Sequence, residues 1–67
     1  MASYTLFVHD DRYTVPTFYM ISVADDRRAL ELAREKLRSS VHYSRVEVFE
    51  GDRLVGAADR DGDGQTA

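Results

Sequence analysis

The succession of secondary-structure patterns constrains the fold of this chain more than any other feature. Two strand patterns, one amphipathic helix pattern and two further strand patterns follow one another within 67 residues, and each has its own start or stop signal. The order predicts an α+β domain of the ββαββ type. We expect a four-stranded, largely antiparallel sheet with one helix packed on one of its faces.

The first hairpin is predicted from two segments that are rich in aromatic and β-branched residues. Residues 4–8 form the first strand pattern and residues 17–23 form the second. The polar residues 9–12 separate them, and residues 13–15 are able to begin the return strand. Pro16 cannot donate a ladder hydrogen bond, and so it marks a sheet edge or a bulge.

The helix begins with two acidic residues. Asp25 suits the N-cap because its carboxylate accepts from backbone N–H groups of the first turn, and Asp26 complements the positive end of the helix dipole. At helical spacing, one apolar stripe is formed by Ala29, Leu30, Ala33, Leu37 and Val41. We expect the helix to end near residues 39–40, with Arg38 in its last turn.

The second hairpin has the clearest turn signal. Residues 44–49 alternate as a half-buried strand, and residues 54–57 complete the pair. Gly51 predicts a type II′ turn, because the first central position of that turn requires a positive φ. Glu50 and Arg53 then face each other across the loop.

The chain divides into a single ββαββ domain, residues 1–58, and a Gly-rich acidic tail, residues 59–67, which we expect to be disordered. Asp59, Asp61 and Asp63 match the first positions of an EF-hand loop. The bidentate glutamate of such a loop falls beyond the end of the sequence, and neither flanking helix is predicted. We therefore expect a weak calcium-responsive tail at most, and no cofactor.

The composition limits both the core and the function. A chain of this length buries only roughly 60% of its unfolded surface, and such small domains often gain stability from a partner. The sequence has no cysteine and a formal net charge of −3, which excludes thiolate metal sites and disfavours contact with phosphates. It shows no signal-peptide pattern and no apolar run near the roughly 20 residues that span a bilayer. We expect a cytoplasmic protein without membrane contact.

The open face of the predicted sheet carries the strongest indication of a partner. Strand side chains alternate between faces, so a helix that covers Leu6 and Val8 leaves one face uncovered. On that face lie four large apolar side chains, Phe7, Phe18, Met20 and Phe49. A patch of this size indicates an interface. We expect a homodimer, formed face to face or edge to edge. A different protein partner and a scattered set of residues without function are the alternatives.

Residues with catalytic chemistry are few and form no catalytic pattern. His9 lies beside Asp10 and Asp11, a combination that metal sites and general bases use, but nothing in the sequence brings His42 to it. The serines lack a nucleophile-elbow context, and the glycines form no phosphate-binding loop. We expect a non-enzymatic protein in which both histidines lie at the surface.

A nucleic-acid-binding module is the alternative from another functional class. Arg34 and Arg38 on the helix, with exposed aromatic side chains on the sheet, match parts of the surfaces by which four-stranded sheets bind RNA. Acidic residues are interleaved with these arginines, and the spacing of Arg27 and Glu31 favours pairing on the helix surface. Because that mixture is typical of a solvated face, we favour a protein partner over nucleic acid.

Several capping and turn signals of this chain also occur together in a group of other sequences that it resembles. They are Tyr4-Thr5-Leu6, Asp25-Asp26, Ala29-Leu30, Ala33, Val46-Glu47-Val48 and Gly51-Asp52-Arg53-Leu54-Val55. Through these residues the chain resembles a group of short bacterial hypothetical proteins over nearly its whole ordered region. The resemblance implies a small ββαββ fold of unknown function, with no catalytic or binding residues to carry over. The longer first loop with Pro16 and the Asp/Gly-rich tail depart from the group.

Overall fold

A computed structural model describes residues 1–60 and contains five regular elements in this part of the chain. They are β1 (Ala2–Asp10), β2 (Thr17–Val23), α1 (Asp26–Arg38), β3 (Tyr43–Glu50) and β4 (Arg53–Asp59). The predicted order and the α+β class are confirmed.

The sheet has the strand order β2-β1-β3-β4, and every neighbouring pair is antiparallel. The sequence left this order open. Because β2 and β3 are both antiparallel to β1, they run parallel to each other, and the connection through α1 passes over β1. The central strands are therefore β1 and β3, whereas β2 and β4 form the two edges.

The first hairpin differs from the prediction at its loop. β2 begins at Thr17, and residues 13–15 lie in the connection and not in the return strand. Pro16 immediately precedes β2, which is an edge strand. Its missing N–H group therefore leaves the ladder intact.

Both predicted ends of the helix are confirmed. Asp25 has an extended backbone, with φ −158° and ψ 177°, and its carboxylate accepts a 3.0 Å hydrogen bond from the N–H group of Arg28. Arg38 is the last helical residue, and the N–H and hydroxyl groups of Ser39 both donate to a helix carbonyl. One expectation is wrong: Val41 lies beyond the helix and is 81% exposed, so it does not belong to the apolar stripe.

The core lies between α1 and the face of the sheet that α1 covers. It contains Tyr4, Leu6, Val8, Val23, Ala29, Ala33, Leu37, Val46, Val48 and Ala58. The helix lies mainly over β3 and β4, where small residues allow a close approach. A Cβ atom at Gly56 would lie 2.9 Å from Cδ2 of Leu30, and so this glycine leaves room for the leucine side chain.

The second hairpin has the predicted turn. Gly51 has φ 60°, whereas Asp52, like the other non-glycine residues within 1–60, does not have a positive φ. A positive φ at the first central position alone is what a type II′ turn requires. Glu50 and Arg53 are register partners and form an ion pair. A register shift between Val48 and Phe49 leaves Val55 as an extra residue of β4.

Candidate interaction surface

Three phenylalanine rings form a row across the sheet on the side opposite the helix. Phe7 lies on β1 directly opposite Phe18 on β2, and the two ring centroids are 5.9 Å apart. The ring of Phe49 on β3 meets Phe7 edge to face, with centroids 5.5 Å apart. Met20 is the next residue of β2 on this side. We call Phe7, Phe18, Met20 and Phe49 the aromatic face.

The aromatic face is most exposed at the edge of the sheet. Phe18 is 61% exposed and Met20 is 74% exposed, whereas Phe7 and Phe49 are half-buried beside their neighbours. Leu54 pairs with Phe49 in the register of the last two strands and is 53% exposed. The structure therefore brings together all four residues that the sequence singled out, and their part in an interface stays a prediction.

A row of charged and polar side chains borders the aromatic face. His9 Nε2 lies 2.9 Å from Glu47 Oε1, and Arg45 Nη1 donates to Asp59 Oδ2 at 3.0 Å. Arg45 Nε lies 3.5 Å from the other oxygen of Glu47. The hydrogen bond with His9, together with the charges of His9 and Arg45, lowers the pKa of Glu47. We call these four residues the polar row.

A shallow depression opens between the rings of Phe7 and Phe49. It has a volume of about 390 Å³, and Glu47, Gly51 and Asp52 complete its lining. Two carboxylates, Glu47 and Asp52, border its two aromatic rings, and Glu47 is paired with His9 and Arg45. The depression thus continues the aromatic face towards the turn between β3 and β4.

A second groove lies on the helix side of the sheet, because α1 leaves β2 largely uncovered. Its volume is about 360 Å³, and it is lined by Leu6, Tyr19, Ile21, Leu32, Glu35, Lys36 and Ser39. Lys36 Nζ lies 4.1 Å from the centroid of the Tyr19 ring, in cation–π geometry. Strand β2 is consequently exposed on both of its faces.

The structure separates His9 from Asp10 and brings His42 to Asp11. Asp10 is buried on the helix side, whereas His9 points to the aromatic face. Asp10 accepts from the N–H group of Arg12 at 2.9 Å and from its Nη2 at 2.7 Å, and this pairing lowers the pKa of Asp10 to about 2. His42 Nδ1 lies 3.2 Å from Asp11 Oδ1. Within residues 1–60, no three metal-ligating side chains come together.

The predicted calcium ligands are divided by the end of β4. Asp59 is the last residue of β4 and pairs with Arg45, while Asp61 and Asp63 lie outside the described residues. Arg60 is anchored as well, since its Nη2 donates to the carbonyl groups of Leu37 at 2.9 Å and Ser40 at 2.8 Å. The regular structure thus continues past residue 58, and the remainder of the tail prediction lies outside residues 1–60.

One polar cluster was missed by the sequence reasoning. The Tyr4 hydroxyl donates to Asp26 Oδ1 at 2.7 Å, and Arg53 donates to the same carboxylate at 3.2 and 3.3 Å. The hydrogen bond to Asp26, with burial, raises the pKa of Tyr4 to about 12, while Arg53 and Tyr4 lower the pKa of Asp26. The sequence did contain a signal for this cluster. Tyr4 occupies an inward-facing position of its strand, and a buried tyrosine hydroxyl group needs a hydrogen-bond partner.

The helix arginines lie far from the aromatic face. Arg28 Nη1 lies 3.1 Å from Glu31, and Arg27 Nη2 lies 3.7 Å from the same carboxylate. Arg34 and Arg38 are exposed on the helix, which covers the opposite face of the sheet. One nucleic-acid strand stacked on the aromatic rings therefore cannot contact these arginines directly.

The fold and this surface define a class of protein: a small ββαββ domain with one helix-covered sheet face and one exposed aromatic face. Neither a protein-family model nor a curated protein nor a solved structure matches the chain. The resemblance to short bacterial proteins therefore stays a prediction. Within residues 1–60, the helical segment falls short of the length and apolar character needed to cross a lipid bilayer.

Proposed function

We propose that this chain is a small non-enzymatic protein-interaction domain, of accessory or regulatory type, which self-associates through the aromatic face. The observation that carries the proposal is the exposure of Phe18 and Met20 beside the ring pair of Phe7 and Phe49. Removing apolar surface from water is favourable by about 25 cal/mol per Å². A contiguous apolar patch is therefore a surface on which a partner binds with a gain in free energy.

The polar row supports the same proposal. Protein interfaces combine an apolar centre with a polar rim, and charges at the rim are tolerated when they are paired. His9 and Glu47 pair with each other, and Arg45 bridges Glu47 and Asp59. A partner on the aromatic face would therefore leave none of these charges unpaired. We place the domain in the cytoplasm, since a chain without cysteine makes no use of an oxidising compartment.

The proposal is tested by sedimentation equilibrium and light scattering from micromolar to near-millimolar concentration. We expect a dimer, and we expect Phe18→Glu and Met20→Glu to raise the dissociation constant at least about tenfold, since each places two like charges in one apolar interface. Val41→Glu is the control, because Val41 is 81% exposed and lies outside the aromatic face. A monodisperse monomer at the highest concentration contradicts the proposal.

Nucleic-acid binding is the second candidate, and the row of three rings across adjacent strands is the observation in its favour, because bases stack on such rows. The two carboxylates that border the depression beside Phe49 count against it. Fluorescence anisotropy with labelled single-stranded RNA and DNA at low ionic strength decides the point. Binding that weakens with salt and with Phe18→Ala supports this candidate, and unchanged anisotropy removes it.

A further inference from the structure

Strand β2 presents an open backbone edge together with apolar side chains on both faces. Among residues 1–60, no strand pairs with the outer side of β2. Four consecutive residues, Thr17, Phe18, Tyr19 and Met20, are exposed. Proteins usually protect such an edge with lysine, a bulge or an inward-pointing charge. The sequence of β2, TFYMISV, contains none of the charged residues that perform this role.

The register shows which backbone groups of β2 point to the free edge. The N–H group of Asp11, directly after β1, donates to the carbonyl group of His42 at 2.9 Å, so the backbone of Asp11 faces β3. Backbone direction alternates along β1, and therefore His9 also faces β3, where it pairs with Arg45. Val8 then faces β2 and pairs with Thr17. Thr17 therefore directs its backbone groups towards β1. The residues that alternate with it direct their N–H and C=O groups to the free edge, and these are Phe18, Met20 and Ser22.

We propose that two copies of this chain pair through these edges, β2 against β2, in an antiparallel register centred on Met20, so that one eight-stranded sheet carries both aromatic faces. The inference rests on the proposed self-association and specifies its geometry: the aromatic face takes part through Phe18 and Met20, which lie on the edge strand. With Met20 opposite Met20 of the second copy, Phe18 lies opposite Ser22. Each of these outward-facing pairs forms about two backbone hydrogen bonds.

Charge complementarity favours a second copy as the occupant. A two-fold axis brings each residue of the strand near residues of the same strand, so any charged residue would risk a like-charge contact. β2 is free of ionisable charge, although the chain carries a net charge of −3. The other edge strand, β4, begins with Arg53 and ends with Asp59. The uncharged edge is therefore the one that tolerates its own copy.

The side chains of both faces are complementary in this register. On the helix side, Tyr19 lies opposite Ile21 of the second copy, so the two helix-side grooves become continuous. On the other side, the two Met20 side chains meet between the two Phe18 rings. The arrangement is isologous and closes after two copies, since it uses the free edge of each β2 once.

The area available fits a weak but specific dimer. Phe18, Tyr19 and Met20 are 61%, 39% and 74% exposed, and a large side chain of this kind offers on the order of 200 Å². Two copies therefore provide roughly 700 Å² from these side chains alone, and the backbone edge and its flanks bring the total near the roughly 1,000 Å² that a biological interface requires. We expect a dissociation constant of about micromolar order.

The test uses Ser22, whose N–H group faces the free edge and whose exposed side chain lies on the same side of the sheet as Phe18 and Met20, without belonging to the aromatic face. Ser22→Pro removes that donor and blocks edge pairing, while an outward-facing position of an edge strand tolerates proline. Ser22→Ala is the matched control, since it keeps the N–H group. Sedimentation equilibrium of the full chain should give wild-type association for Ser22→Ala and at least about tenfold weaker association for Ser22→Pro.

Amide exchange on the wild-type chain supplies the second measurement, which does not depend on a variant folding. The amides of Phe18, Met20 and Ser22 should become protected as concentration rises, because they acquire acceptors in the second copy. A dimer that persists in Ser22→Pro, or that leaves these three amides unprotected, overturns edge pairing and leaves face-to-face self-association. A monomer at every concentration overturns both this inference and the proposed function. Association that continues beyond two copies contradicts the closed dimer.

Discussion

The hydroxyl group of Tyr4 donates a 2.7 Å hydrogen bond to Oδ1 of Asp26, which ties the central strand β1 to the first turn of α1. Arg53 reaches the same carboxylate from the start of β4. At the other end of the helix, Arg60 donates to the carbonyl group of Leu37. The helix is therefore attached to the sheet by polar contacts at both of its ends, and apolar contacts fill the space between them.

Removing the Tyr4 hydroxyl should loosen the first of these attachments. We expect Tyr4→Phe to lower Tm by about 4–8 °C, the change that one ordinary interaction produces in a domain of this size. Tyr13→Phe is the control, because Tyr13 is 63% exposed. Thermal unfolding followed by circular dichroism makes the comparison, and equal Tm values for the two variants would contradict the structural role of the contact.

The same contact predicts a loss of stability at alkaline pH. The pKa of Tyr4 is raised to about 12 in the folded state, mainly by the hydrogen bond to Asp26, against about 10 for an unfolded chain. The contribution is therefore complete below pH 10 and is lost as the pH rises from about 10 to about 12. Urea unfolding at several pH values across this range should show that the free energy of unfolding of the wild type decreases. The decrease should be smaller for Tyr4→Phe.

Stability at acid pH should depend on Asp10. Pairing with Arg12 lowers the pKa of Asp10 to about 2, below the value of about 3.9 for an unfolded chain. The folded state then binds fewer protons, so its stability is present above pH 4 and falls as the pH decreases from about 4 to about 2.

Asp10→Asn tests this dependence on pH. We expect the variant to be less stable than the wild type at pH 7, because the ion pair is lost, and to change less between pH 4 and about pH 2. Asp26 and Glu47 also have lowered pKa values, so part of the acid decline should remain. Urea unfolding at each pH gives the free energy of unfolding of both proteins. An equal decrease of this free energy in both proteins between pH 4 and about pH 2 would count against the role of the Asp10–Arg12 pair.

The core prediction compares two aliphatic residues that are four positions apart. Leu37 is 2% exposed and Val41 is 81% exposed. Leu37→Ala should cost about 2–5 kcal/mol, through lost burial and the cavity that remains, out of a total free energy of unfolding of about 3–10 kcal/mol for a domain of this length. Val41→Ala should change the free energy of unfolding by less than about 0.5 kcal/mol. Chemical denaturation measures both, and a comparable effect of the two would show that Leu37 is not part of the core.

Features with local causes were predictable from the sequence. The N-cap at Asp25 depends on the next three residues, and the positive φ of Gly51 depends on the loop alone. The alternation that separates Phe7 from Leu6 follows from strand geometry. For this reason the element order, both ends of the helix and the composition of the aromatic face could be derived before the structure.

Features decided by tertiary geometry were not predictable. The strand order depends on which edge the connection through α1 reaches, and two orders satisfy the handedness rule. Val41 fits the helical stripe in sequence, but the chain leaves the helix before it. Arg60 finds its acceptors about 20 residues away along the chain, on Leu37 and Ser40. No short pattern specifies such a partner, because its position is fixed only when the sheet and the helix are assembled.

Two glycines of the last hairpin should respond differently to the same substitution. Gly51 has φ 60° and open space around it, so Gly51→Ala is strained by its backbone and should cost about 1–2 kcal/mol. Gly56 does not have a positive φ, and its added Cβ would meet only the end of the Leu30 side chain, at 2.9 Å. Gly56→Ala should therefore cost less, because that side chain is flexible and half-buried.

Comparing the stability costs of Gly51→Ala and Gly56→Ala distinguishes backbone strain from steric contact. Trimming the neighbour in the double variant Gly56→Ala with Leu30→Ala should remove the clash, so that the added cost of Gly56→Ala falls towards zero. The same Leu30→Ala change should leave the cost of Gly51→Ala unaltered, because the two sites share no contact. Urea unfolding of the single and double variants gives these coupling energies directly. A cost at Gly51 that disappears with Leu30→Ala would mean that the turn is not strained by its own φ.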